Sequence, residues 1–148
     1  MTITTVSRGY HHNRRKGTNA MDWNDSYRIG YPLIDEQHQG LFRSINEFSE
    51  KLETDDCHAE AGSVLRLLVG YVNRHFSDEE AFMEDAEVPF LEQHRKKHQA
   101  YTEAIKRILL DLRAGKELDL HVFNAFLQKW LAKHILTEDM KLKDYLPR

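Results

Sequence analysis

Four stretches of this chain repeat apolar residues at steps of three and four, and each places histidine on the stripe it must bury. A period of 3.6 makes each stretch a helix with one apolar face. An imidazole or a carboxylate on that face is costly unless a partner meets it. The fold must therefore bring these polar groups to one another or to a shared ligand.

The first stretch runs from Leu33 to about Glu53, with Pro32 marking its approach, and buries His38 among Ile34, Leu41, Phe42 and Ile45. The second runs from about Glu60 to Asp85. Its stripe, through Leu65, Leu68 and Val72, continues into His75, Glu79 and Met83. The third starts near Pro89 and stops at Gly115, with His94 and His98 between Leu91 and Tyr101. The fourth runs from about Asp119, an N-cap candidate, to about Lys143, with Leu127, Trp130, Leu131, His134 and Ile135. Four helices of similar length with short links give an all-α fold, an up-down-up-down antiparallel four-helix bundle.

Residues four apart share a helix face, so His75 with Glu79 and His94 with His98 are each aimed one way. The five-residue step from His134 to Asp139 turns about 140° in an ideal helix, so the fourth helix is expected to widen there or Asp139 to reach sideways. His38 lies early in the first helix, His75 and Glu79 late in the second, His94 and His98 early in the third, His134 and Asp139 late in the fourth. Antiparallel alternation brings all seven to the same end of the bundle. Such a cluster suits divalent metal, which neutralises the carboxylates while imidazoles donate lone pairs. Nitrogen-rich ligation with carboxylates suits iron or zinc, and manganese less well. Seven ligands exceed one ion and suit two ions bridged by carboxylates.

The rest of the chain narrows the class. With 148 residues, 41% apolar, one domain with a real core is expected. A net charge of -3 argues against a nucleic-acid partner or a polybasic membrane surface. No apolar run approaches the ~20 residues of a membrane span, and the N-terminal stretch has no secretory core. A lone Cys57, read as lying in a loop, fits a reducing, cytoplasmic setting. Residues 1–20 have no sustained period and read as a flexible arm, with the bundle spanning 21–148. His11, His12, His58 and His121 are read as surface residues, and Asp78 and Glu80 as pointing away from the cluster.

Four segments carry a family resemblance: "WNDSYRIGYPLIDEQHQGLF" with His38, "HFSDEEAFM" with His75 and Glu79, "HRKKH" with His94 and His98, and "WLAKHILTED" with His134 and Asp139. In this order they resemble the hemerythrins, in particular the single-domain bacterial form, over nearly everything from Trp23 to Leu146. The resemblance implies two non-haem iron ions bridged by an oxo or hydroxo group, Glu79 and Asp139. His94, His98 and His134 would bind one iron, and His38 and His75 the other, which is left one ligand short. Dioxygen would bind there. Leu131 matches a leucine that packs beside the oxygen site, and Trp130 a position that shields the cluster. Phe42, Phe76, Phe82 and Tyr101 are further wall candidates. The arm departs from the family pattern. The implied function is reversible dioxygen binding for storage, delivery or sensing, without enzymatic turnover and with no protein partner identified. The alternatives are a di-iron oxidase or peroxidase, a nitric-oxide-handling protein, or an iron buffer. The chain has no Glu-x-x-His, which counts against ferritin-like and hydroxylase sites.

Overall fold

The computed structural model describes residues 20–54 and 57–147. The expected arm lies almost wholly outside these residues. Among the described residues there are four α-helices and no strand: α1 (Pro32–Lys51), α2 (Cys57–Asp85), α3 (Leu91–Arg113) and α4 (Leu120–Thr137). Short 3-10 helices at Asp25–Tyr27 and Asp139–Tyr145 flank them. Helix α1 packs along α2, α2 along α3, and α4 closes against α1. No described helix is long and apolar enough to cross a membrane.

The helix ends follow local chemistry. Pro32 occupies the first turn of α1, where its missing N–H costs nothing. Asp119 caps α4 by accepting from the Val122 N–H at 3.1 Å. Helix α3 ends on Gly115 at φ +74°, with Lys116 N–H bonded to Asp111 O and Gly115 N–H to Leu112 O. That pair of bonds is a Schellman cap. Helix α2 ends in the same way, with Val88 N–H on Met83 O and Glu87 N–H on Glu84 O. Its left-handed position, however, holds Glu87 at φ +55° where glycine would be at ease. This turn delivers Val88 into the interior. Pro89 is then still in the link, and α3 begins two residues later than the sequence suggested. Cys57 opens α2, whose start was expected at Glu60, so the loop reading of Cys57 is corrected.

The expected run of the fourth helix to Lys143 is also corrected. It stops at Thr137, and Glu138 closes it by donating its N–H to His134 O at 2.8 Å. The chain then tightens into the 3-10 turns that carry Asp139. Two apolar clusters result. The larger fills the bundle with Leu41, Ile45, Phe48, Leu65, Leu68, Val72, Ile105, Leu127 and Leu131. The smaller joins Ile29, Ile34, Met83, Val88 and Leu142. Along each helix the histidines and carboxylates lie between these two clusters.

Candidate metal centre

All seven polar groups singled out from the sequence meet at one level, and none is more than 5% exposed. Helix α1 supplies His38, α2 His75 and Glu79, α3 His94 and His98, and α4 His134. Asp139 comes from the 3-10 segment. The departure from α-helical geometry after Thr137 is what turns Asp139 to the side of His134. The awkward five-residue step is thus resolved by ending the helix.

Every imidazole turns its Nε2 inward, and the carboxylates divide their oxygens between two groups. Glu79 Oε1 is 2.6 Å from His94 Nε2 and 3.2 Å from His98 Nε2. Glu79 Oε2 is 3.4 Å from His38 Nε2 and 3.3 Å from His75 Nε2. Asp139 Oδ1 is 3.2 Å from His94 Nε2 and 3.1 Å from His134 Nε2, while Oδ2 is 3.0 Å from His38 Nε2. One donor set therefore comprises Glu79, His94, His98, His134 and Asp139, and the other His38, His75, Glu79 and Asp139. Within each set the donor atoms lie within 4.8 Å of one another. His38 Nε2, Glu79 Oε2 and both Asp139 oxygens are buried without a hydrogen-bond partner. Buried polar atoms are rarely left so. Converging nitrogen and carboxylate donors of this kind fit divalent transition metal.

The metal-free electrostatics show what a cation would replace. Burial works against a charged His38, but the Asp139 and Glu79 carboxylates beside it outweigh burial and lift His38 to about 9. The same balance lifts His94 to about 9, while burial at His98 is outweighed by the Glu79 and Glu80 carboxylates, which raise it. Burial prevails at His75 and lowers it. Burial alone would raise Glu79, yet the surrounding imidazoles hold it well below the usual carboxylate range. Asp139 is lowered too, against both burial and the nearby Glu79 charge, by His134 and His38. Protons on imidazole thus balance the two carboxylates until metal takes their place.

The surroundings are aromatic on the three-histidine side. Phe76 stacks on His98 with ring centres 3.7 Å apart, and Trp130 on His134 at 4.4 Å. Tyr101 backs Trp130 at 4.0 Å and donates its hydroxyl to Leu127 O. Leu131 is buried in the larger apolar cluster. Phe42 instead packs with Trp23 and Tyr27, and Phe82 stacks on Tyr31 in the outer cap. His121 is exposed, as expected, whereas His11 and His12 lie outside the described residues. His58, expected in a loop, falls within α2.

Asp78 stays outside both donor sets, as expected, but it is not idle. Asp78 is half-buried and accepts from Gln37 Nε2 at 2.7 Å, and Gln37 Oε1 lies 2.8 Å from His75 Nδ1. Glu80 stays outside the cluster, 3.8 Å from His98 Nδ1, and pairs with Arg95. Sequence reasoning missed Gln37. The available signal was a polar residue directly before His38 on a helix approaching the cluster.

The model of the hemerythrin family, described as the Hemerythrin HHE cation binding domain, matches residues 29–146. This chain belongs to the hemerythrin family. A bacteriohemerythrin of Stenotrophomonas maltophilia is 30% identical over 122 residues, covering 82% of this chain and 78% of the relative. One from Campylobacter jejuni is 33% identical over 113 residues, covering 76% and 85%. The solved structure of a wild-type hemerythrin superposes with a TM-score of 0.81 at 23% identity, covering 86% of this chain and 98% of that one. That likeness establishes the hemerythrin bundle. The cation-binding description agrees with the cluster of histidines and carboxylates at its end.

Proposed function

We propose that this hemerythrin-family chain binds dioxygen reversibly at two non-haem irons bridged by Glu79, Asp139 and an oxo or hydroxo group. The observation that carries the reading is the division of carboxylate oxygens. Each of Glu79 and Asp139 turns one oxygen to the three-histidine set and the other to the two-histidine set. In this reading His94, His98 and His134 serve one iron, and His38 and His75 the other. Three nitrogens, two carboxylate oxygens and the bridging group make six donors. The two-histidine set makes five, which leaves one position open to a small ligand.

Iron held in this way supplies the electrons that dioxygen takes up on binding and returns on leaving. The chain's own part is to orient the donors and keep water out. Leu131, Phe76 and the Trp130–Tyr101 stack close the bundle side, and Ile34, Met83 and Leu142 close the other. A dry apolar wall would keep water and external protons from the open position. His75 Nδ1 lies 2.8 Å from Gln37 Oε1, on the side away from the cluster.

The test is iron analysis with visible spectroscopy on protein reduced without oxygen and then exposed to air. Two irons per chain and a colour that appears with oxygen and fades under vacuum would support a reversible binder. Irreversible colouring with peroxide release would replace it with an oxidase. Protein that takes up no iron and shows no colour would defeat both.

A further inference from the structure

Behind the two-histidine set stands a link of two polar side chains. Gln37, 8% exposed on α1, bridges His75 and Asp78 on α2. The chemistry of the groups orders this link. A carboxylate only accepts, so Asp78 draws the amide NH2 of Gln37 and turns its oxygen toward His75. That oxygen also only accepts, so His75 must carry its proton on Nδ1. Its Nε2 lone pair is then free and faces Glu79 Oε2, 3.3 Å away. By contrast, Nδ1 of His38, His94 and His98 has no hydrogen-bond partner.

We infer that Gln37 is a positioning residue that, with Asp78, fixes the tautomer and ring direction of His75 and so sets the cation affinity of the two-histidine set. The inference rests on the two-cation reading above. The link falls where it matters most, because this set has two nitrogens against three and loses more when one is misdirected. The partner is also a neutral amide. A carboxylate in its place would draw the Nδ1 proton harder and make His75 a stronger donor.

The experiment is a zinc titration of the metal-free full chain, followed by competition with a chelating indicator. Wild type takes up two zincs, the weaker in the two-histidine set. Gln37→Met keeps the length and removes the acceptor. It lowers the weaker affinity about 10- to 100-fold, as loss of an outer partner of a metal ligand does, and leaves the tighter one unchanged. The double variant Gln37→Glu with Asp78→Asn keeps an acceptor on His75 and supplies a donor from position 78, so it recovers the affinity. In the zinc-loaded proteins, NMR of the imidazole nitrogens follows a slowly exchanging Nδ1 proton. It is present in wild type, lost in Gln37→Met and restored in the double variant. Gln37→Met that titrates like wild type would overturn the inference. So would a double variant as weak as Gln37→Met, since the residue would then serve packing alone. Uptake of a single zinc by wild type would instead defeat the two-cation reading and this inference with it.

Discussion

Filling the site with divalent cation will expel protons, and the structure sets a minimum. His38 and His94 are held at about 9 in the metal-free protein by Glu79 and Asp139. At pH 7 a group with that pKa is ~99% protonated, and a metal ligand must be neutral. His38 belongs to the two-histidine set and His94 to the three-histidine set, so each cation displaces one of these protons. Loading both sites near pH 7 therefore releases at least ~2 protons, and the product of the two affinities rises at least ~100-fold between pH 7 and pH 8. The gain flattens above about 9, where both imidazoles are already neutral. Calorimetry in two buffers of different ionisation enthalpy counts the protons directly. Release of fewer than about one proton in total, or an affinity flat between pH 7 and pH 8, would refute the proposed balance of imidazolium against carboxylate.

The same groups set the stability of the metal-free fold. His38 and His94 are raised, so their contribution is full below the ordinary histidine value of 6.5 and is lost as pH rises through about 9. Glu79 and Asp139 are lowered, so theirs is present above the ordinary carboxylate range and lost as pH falls. Thermal melts without metal should peak between these limits, and greater stability at pH 9 than at pH 6 would contradict this. Glu87→Gly relieves a left-handed residue and should raise stability by about 1 kcal/mol in urea unfolding, with no gain telling against strain at that turn. Leu131→Ala should cost about 2–5 kcal/mol by opening a core cavity, and in iron-loaded protein the oxygen-dependent colour should decay faster. An unchanged decay would remove Leu131 from the exclusion of water.

Much of this was legible in the sequence because helical period and antiparallel alternation are both simple geometric constraints. His38, His75, His94, His98 and His134 needed only the 3.6-residue repeat to be placed at one level. Glu79 followed from its four-residue step to His75. Asp139 does reach the cluster, but its route was hidden, because where a helix ends is decided by packing. Here Leu142 is drawn into the outer apolar cluster, and the backbone tightens to let it. The contact between Gln37 and Asp78 was not legible for a related reason. Two polar residues on neighbouring helices carry no periodic signal of contact. Their bond depends on the side-to-side rotation of α1 against α2, which a one-dimensional pattern does not contain.

The separation of Asp139 from the four helices also bears on the order in which the molecule is completed. The helices can form and bury the larger apolar cluster while the Asp139 carboxylate is still missing. That carboxylate is translated after all of α4, and it is seated by Leu142 and braced from Glu138 by Lys97 and Lys141. During synthesis a cation arriving early would find five imidazoles and a single carboxylate, with too little negative charge to hold a pair of divalent ions. If the chain holds two cations as proposed, their capture would be deferred until the tail has docked, and the bound cations would in turn clasp the tail to the bundle.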